Sequence, residues 1–542
     1  MRATAGVLTK GRIFLQQLGV SARQLLNDRQ ISTLESEIAR TSIIDNKKPP
    51  VIVFNASTRI TGLSQNAAFS LLTAWSLKMG GHPVVHYVCG QGMTRCVLGT
   101  NREDAWHDPP CTRCMAQSRR LFKFSESVWF SYNEDHVLRA VIESLNIQQL
   151  ATFSYYGMAL GETVLPSIRW VLRRHHLFDD HNTKFLYRQF ILSTWNITKN
   201  FEELIKKVNP KAVVVFNGMF FPEATVRQVA IKHNIRVITH EAGIRPFSGF
   251  FTDGEATAYP ITIPKSYKLS SAQNKKLDSY LEQRFEGKFS MADVQFWQSI
   301  NRLSNEILED IKSYKQLVPI FTNVIFDTSQ PHSNVLFPDM FNWLDSLLSV
   351  FKKHSKTLFV IRAHPDEIRP GKTSQETVAE WALHRNIQAF RNVRFINPEQ
   401  TLSSYDLIQK AKFIMVYNST IGLEAAIIGV PVLSAGKARY TQYPTVYFPK
   451  TRTAYSRQLE EFLSTKKIKK IPANQIQSRR FLYYQLFKTS LSFERFLHPD
   501  GIWRGFVKLT GFHPDDLKTE NSETMRILVE GILENKPFLT NE

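Results

Sequence analysis

Cysteine is scarce in this chain, with four residues in 542, all between positions 89 and 114. A secreted disulfide framework spreads its bridges through small domains, so this distribution excludes one and predicts a reducing, cytoplasmic setting. Long apolar runs are missing as well. The opening residues, MRATAGVLTKGRIFLQQLGVSARQLL, are interrupted by Lys10, Arg12, Gln16 and Gln17, which leaves no signal-peptide core. The most apolar stretch, 413–436, is broken by Asn418, Ser419, Glu424 and the Gly429-Val430-Pro431 turn, so it reads as strand, loop, helix and strand and not as a membrane span. No internal repeat or low-complexity segment stands out. Acidic residues are outnumbered, 48 against 68 Lys and Arg, for a net charge of +20. Such an excess suits a nucleic acid, an anionic membrane face or an anionic substrate such as a sugar nucleotide, and charge alone does not choose among them.

Hydrophobic residues at 43% and charged residues at 21% describe ordinary globular material. The length favours two or three domains. From residue 50 one pattern recurs: a short apolar, β-branched run ends in a polar or glycine-containing turn and gives way to helical periodicity, which is the signature of βαβ units. The first set predicts strands at 51–54, 84–88, 150–153, 212–216 and 236–239. A second set predicts strands at 320–326, 357–361, 393–396, 413–416 and 431–433. This organisation is an α/β chain of two Rossmann-like, doubly wound parallel sheets facing a cleft. The expected division is a helical extension over 1–48, a first Rossmann-like domain over 49–250, an inter-domain connection with helices over 251–315, a second Rossmann-like domain over 316–450 and appended C-terminal helices over 451–542.

Doubly wound sheets bind ligands beyond the carboxyl ends of their strands, so strand-end residues are the ones to inspect. Phe413–Val416 runs into Asn418-Ser419-Thr420 and then a helix. Asn and Ser cap helix N-termini, whose unpaired N–H groups and dipole hold phosphate, and the hydroxyls add donors. Glu424, one turn on, stands where a carboxylate accepts hydrogen bonds from ribose hydroxyls; the plainer alternative is an ordinary capped helix bearing an exposed Glu. The strand 357–361 ends in Arg362-Ala363-His364-Pro365, a cation and an imidazole suited to a phosphate leaving group, with no catalytic metal needed. In the first set, the strand 236–239 ends in His240-Glu241-Ala242-Gly243. A carboxylate there is placed to take a proton from an acceptor hydroxyl, or simply to cap the next turn. Thr58 and Arg59 after the first strand, and Asn217 after the fourth, are expected with His240 to line the acceptor side.

The order His240-Glu241-Ala242-Gly243, Arg362-Ala363-His364-Pro365 and Asn418-Ser419-Thr420-Ile421-Gly422-Leu423-Glu424, followed by Gly429-Val430-Pro431 and Gly436, resembles bacterial capsule polysaccharide biosynthesis proteins, which are glycosyltransferases of the GT-B fold. The resemblance covers roughly residues 50–450. It is similar at motif level to Kdo and sialic acid transferases that use CMP-sugars. It implies Glu241 as general base, His364 as donor-phosphate ligand and Ser419 with Thr420 as the hydroxyl pair completing that contact, acting on a nucleotide-sugar donor and a glycan or lipid-linked acceptor. Teichoic-acid polyol-phosphate polymerases share a His-Pro and a serine pair, so a CDP-alditol donor stays open, as does a nucleotide-sugar epimerase of the same fold.

Cys89, Cys96, Cys111 and Cys114 form C-x6-C-x14-C-x2-C. One close pair and two separated ligands suit a structural zinc with four thiolates, or an iron–sulfur cluster, pinning the 89–125 insertion. With the basic surface, this is also the pattern of a zinc-containing nucleic-acid-binding protein, a reading that leaves the strand-end motifs unexplained. Lys466-Lys467-Ile468-Lys469-Lys470 and Arg479-Arg480, interleaved with Phe481, Tyr483 and Tyr484, suit either a contact with the anionic inner membrane face or a solvated helix. Arg173-Arg174-His175-His176, with His181, reads as an exposed helix end and not as a second metal site.

Overall fold

The computed structural model describes residues 23–56, 62–285, 290–291, 294–295, 303–369, 371–400, 402–469, 472–501 and 505–541. The strands of the first sheet are β1 (Val51–Asn55), β2 (Val84–Cys89), β3 (Ser127–Phe130), β4 (Ala212–Phe216), β5 (Arg236–Ala242) and β6 (Ser248–Thr252). The second sheet holds β7 (Gln316–Phe321), β8 (Thr357–Arg362), β9 (Val393–Ile396), β10 (Ile414–Val416) and β11 (Val432–Ser434), and a last strand, β12 (Leu491–Ser492), returns to the first sheet. The helices that matter below are α1 (23–41), α2 (Gln65–Met79), α3 (Cys111–Leu121), α4 (Leu160–Leu172), α5 (His181–Val208), α6 (Phe221–Lys232), α7 (Ser271–Phe285), α8 (Met340–Lys353), α9 (Ile421–Ile428), α10 (Pro472–Tyr483) and α11 (Glu523–Glu534).

Both sheets wind the same way. The first has the order β12-β6-β5-β4-β1-β2-β3 and the second β9-β8-β7-β10-β11, so the parallel part of each reads three-two-one-four-five. The order reverses beside the first strand of each set, between β1 and β4 and between β7 and β10. These are the switch points at which connecting chains part and open a crevice at the strands' carboxyl ends. Strands buried on both faces need continuous apolar sequence, and β1 (VIVFN) and β4 (AVVVF) supply it.

Helices cover both faces of the first sheet. Phe69 and Trp75 of α2 pack with Phe493, Leu528 of α11 and Phe538 on one side, and Tyr187, Phe190 and Phe201 of α5 fill the other. The second sheet is sandwiched likewise, by Trp343 and Phe351 of α8 on one face and by Phe481 and Tyr483 of α10 with Leu423 of α9 on the other. Each such buried ring or branched side chain contributes about 1.5–3 kcal/mol through removal of apolar area from water.

Three expectations are corrected. The segment 150–153 does not form a strand: Asn146 and Gln149 make a reciprocal capping box that starts a short helix, Ile147–Ala151, and the strand beside β2 is β3. In the second set, β7 starts at Gln316, ahead of the expected 320. The C-terminal region was expected to be helical, yet it contains β12 and the strands Leu497–Pro499 and Phe506–Leu509. β12 pairs antiparallel with β6, and Phe493 stacks 4.4 Å from Phe69, so the chain's end completes the first domain.

Candidate active site at the strand ends

Glu241 lies at the carboxyl end of β5 and is half-buried. Its Oε1 accepts from Asn66 Nδ2 at 3.1 Å and from the Ala242 N–H at 2.8 Å, and its Oε2 accepts from Asn217 Nδ2 at 2.9 Å. Three donors thus fix one carboxylate. Asn217, in the left-handed region at φ 61, also accepts from the Met219 N–H at 3.0 Å, the Asx turn that frees its amide for Glu241. Gly243 closes the loop: its N–H donates to the Ser248 carbonyl at 2.7 Å, and a Cβ there would come 2.3 Å from Ser248 Oγ.

His240 does not line the acceptor side. Alternation along a strand sends neighbouring side chains to opposite faces, so Glu241 and His240 part company. His240 is fully buried, meets Ser70 Oγ at 2.8 Å through Nε2, stacks on Phe251, and has its basicity pushed down to about 3 by burial. Asn217 acts on Glu241 directly and is itself buried. Thr58 and Arg59 fall outside the described residues.

In the second domain, just past β8, His364 caps the turn Pro365–Ile368, accepting the Asp366 N–H on Nδ1 at 3.1 Å. Burial pulls its basicity down, as does Arg362, against Asp366 and Asp327. The neutral ring therefore carries its proton on Nε2. Asn418 sits in a polar network: it accepts from Asn323 Nδ2 at 2.6 Å and donates to Ser333 Oγ at 2.6 Å. Ser419 is half-buried and Thr420 exposed at the start of α9. Tyr440 holds the Ser419 carbonyl at 2.7 Å, which fixes this turn.

Arg362 and Glu424 depart from expectation. The Arg362 side chain is buried with both terminal nitrogens 3.4 Å from the Gln400 carbonyl, so it secures a loop. Glu424 is buried between helices: Oε1 pairs with Arg284 of α7 at 2.5 and 2.7 Å, and Oε2 accepts from Tyr405 at 2.6 Å. Its carboxylate is an inter-helix tie and not a ribose ligand.

Behind His364, the Glu367 carboxyl is fully buried with Oε2 unpartnered, and burial pushes it up to about 8 against one long N–H contact from Val378. Its folded value exceeds the unfolded one, so the native state holds a proton that the unfolded state has lost, and stability falls as pH rises from about 4.5 through 8. Glu367→Gln is expected to remove this loss, gaining on the order of 3 kcal/mol over wild type at pH 8 relative to pH 5 in urea unfolding. An equal pH slope in both proteins would refute it.

Several site residues were missed in the sequence. Asn323 follows β7, Asn66 opens α2, and Lys437 and Arg439 follow β11. Arg439 lies 3.8 Å over the Tyr259 ring, and Tyr259 donates its hydroxyl to the Ala242 carbonyl. A cation of the second domain thereby reaches the neighbourhood of Glu241. The signal was a strand end like the others, just past Gly436.

None of the four cysteines is in a disulfide. Backbone N–H groups point at two sulfurs, Gly92 at Cys89 (3.3 Å) and Gly99 at Cys96 (3.2 Å), and burial pushes both thiols up to about 12. Cys111 and Cys114 face them from the first turn of α3. Among the described residues, the group of three or more His, Cys, Asp or Glu ligand atoms within 4.8 Å of one another is His175, His176 and Asp339, so the four sulfurs are not drawn together that closely. The basic aromatic stretch is also corrected. Arg479 pairs with Asp278 at 2.7 Å, Arg480 binds the Pro264 carbonyl, and Phe481, Tyr483 and Tyr484 are core; Lys466, Lys467 and Lys469 remain exposed. Among the described residues no helix is long and apolar enough to cross a membrane.

Two doubly wound sheets, each with its polar strand-end cluster, and a C-terminal return to the first sheet define a GT-B-like α/β protein. Residues 272–469, a little over a third of the chain, match the model of the capsule polysaccharide biosynthesis protein family. No curated protein matches the chain in sequence. Among solved structures it is similar to the KpsC beta Kdo 2,4 transferase of Thermosulfurimonas dismutans, at 12% identity, covering 55% of this chain and 84% of that one with a TM-score of 0.36. The beta Kdo 2,7 transferase of the same organism's KpsC aligns at 16% identity, 57% and 85% coverage and a TM-score of 0.32. A UDP-GlcNAc 2-epimerase from Neisseria meningitidis bound to UDP-GlcNAc aligns at 14% identity, 81% and 99% coverage and a TM-score of 0.23.

Proposed function

We propose that this protein is a glycosyltransferase of surface-polysaccharide assembly, moving a sugar from a nucleotide-sugar donor of the CMP-sugar class to a hydroxyl of a glycan or lipid-linked acceptor. The observation that carries the reading is the pairing of the two strand-end clusters. One presents a carboxylate fixed by three donors, and the other presents an imidazole N–H, two hydroxyls and a helix N-terminus. Glu241 takes the acceptor's proton as the acceptor oxygen bonds to the anomeric carbon. The bond from that carbon to the donor phosphate breaks, and the phosphate leaves with the electron pair. His364 Nε2–H, Ser419, Thr420 and the first turn of α9 stabilise the charge that develops there. Protein donors thus supply the leaving-group stabilisation in this scheme.

The test is thermal shift with CMP, CDP, UDP, GDP and a short single-stranded RNA at two salt concentrations. Stabilisation by a cytidine nucleotide at both salts supports the reading through linkage, while a shift with RNA alone that vanishes at the higher salt overturns it. Within the same reading, His364→Ala removes one hydrogen bond to a charged group, about 1.5–3 kcal/mol. Nucleotide affinity and turnover are expected to fall together, by roughly 10–100-fold. Unchanged affinity in calorimetry would exclude His364 from the donor site.

The cysteine quartet completes the proposal as a structural zinc site. The two N–H···S contacts are the kind that stabilise thiolates, and metal binding would deprotonate thiols that burial otherwise keeps neutral. Four protein ligands leave no open position, so the metal would brace the 89–125 insertion beside β2 and take no part in transfer.

A further inference from the structure

The junction of the two domains holds a cluster that the transferase reading does not use. Beyond α4, Arg173 turns the chain at φ 56 and delivers His175 and His176 against the second domain. There the Gln375 N–H donates to the Arg173 carbonyl at 2.9 Å, and Glu376 Oε2 accepts from the N–H groups of His175 at 2.9 Å and His176 at 3.2 Å. Asp339 caps α8 through the Asn342 N–H at 2.9 Å and is 2% exposed. The segment is therefore an interface and not the exposed helix end that its sequence suggests, and His181 lies elsewhere, stacked on Trp106.

One ligand atom from each of His175, His176 and Asp339 lies within 4.8 Å of the other two. His176 Nε2 is 3.4 Å from Asp339 Oδ2, while its Nδ1 is held by Glu376 Oε1. An ion pair accounts for His176 but not for His175, whose side chain is 6% exposed and whose Nδ1 is buried without a partner. An unsatisfied buried polar atom costs about 1–3 kcal/mol, which a ligand would offset. Two imidazoles and a carboxylate are the donor set of zinc-class cations, with a fourth position left for water. A ligating histidine usually gives its other ring nitrogen to a carboxylate, the place Glu376 occupies. Arg169, whose Nε donates to the His175 carbonyl at 2.9 Å, is a cation acting on His175, set against the carboxylates of Asp339 and Glu376.

We propose that His175, His176 and Asp339, with Glu376 orienting His176, bind a divalent transition-metal cation that fastens the first domain to the second. The proposal is independent of the transferase reading, since none of these residues lies at the strand ends.

The test is titration of the chelator-treated full chain with Co²⁺, followed by absorption and calorimetry. A site of imidazole and carboxylate gives d–d bands without the sulfur-to-cobalt charge transfer that marks the cysteine quartet, so the two sites are read separately. Wild type is expected to bind cobalt in the sulfur-free site, with affinity reduced at least tenfold in His175→Ala and Asp339→Asn and roughly 10–100-fold in Glu376→Gln. Asn caps helices as well as Asp, so Asp339→Asn keeps the start of α8 and folds. Absence of a sulfur-free cobalt site in wild type overturns the proposal. So does an Asp339→Asn variant that melts lower yet binds cobalt as wild type does, which would make the cluster an ion pair only.

Discussion

Replacing Glu241 with Gln is expected to lower turnover by roughly 10²–10⁴-fold, the usual contribution of a positioned general base, while nucleotide affinity stays within about twofold of wild type. The substitution keeps the shape and the Oε1 acceptor for Asn66 and Ala242 and removes only basicity and one acceptor for Asn217. A loss confined to kcat, with the donor still bound, is what a group acting on the acceptor's proton produces. Steady-state kinetics with calorimetry of the nucleotide separates the two quantities. Full kcat in the variant would place the base elsewhere. Glu223, in the first turn of α6 following β4, is not the substitute, because burial pushes it up to about 8 and a carboxyl that is protonated across the neutral range takes no proton.

Much of this architecture is legible in the sequence because buried parallel strands leave a one-dimensional trace. The apolar run of β4 stands where it was expected, at Ala212–Phe216; Asn418-Ser419-Thr420, after β10, lies at a switch point, while Glu241 on β5 and His364 after β8 each lie one strand further out. The failures have physical causes. The 150–153 run is apolar enough for a strand, but the capping box at Asn146 and Gln149 decides for helix locally. β12 is two residues long, too short for alternation to show, and is fixed by pairing with β6 at a separation of hundreds of residues. Which face a strand-end residue takes is a matter of register. His240 and Glu241 are adjacent in sequence and opposite in environment, and only the pairing of β5 with β4 and β6 tells which one enters the crevice. Likewise Arg479 and Arg480 look like surface charge until α7 supplies Asn274 and Asp278 as partners for Arg479.

Glu424→Leu is expected to destabilise the fold by about 3–5 kcal/mol, because it strands the Arg284 guanidinium, whose side chain is 17% exposed, in a dry contact between α7 and α9. Tyr405 loses its acceptor in the same step. Arg284→Met alone should cost a similar amount by leaving the carboxylate uncompensated. The double variant should then cost clearly less than the two singles added, since well-packed apolar side chains replace a buried pair at little net cost. Urea unfolding of the four proteins measures the coupling directly. A ribose-binding carboxylate predicts the reverse pattern, with stability nearly intact, nucleotide affinity lost in Glu424→Leu and no coupling to Arg284. The distinction bears on how the second domain is built. The segment between the two sheets carries α7, one of the helices expected there, and α7 is anchored through Arg284 to the helix whose first turn presents Ser419 and Thr420. The family match begins at residue 272, within α7, so the tie and the turn fall inside one unit. Loosening the tie should therefore weaken the phosphate-facing turn indirectly, as a smaller loss of nucleotide affinity that follows the loss of stability, whereas a direct ligand would lose affinity first.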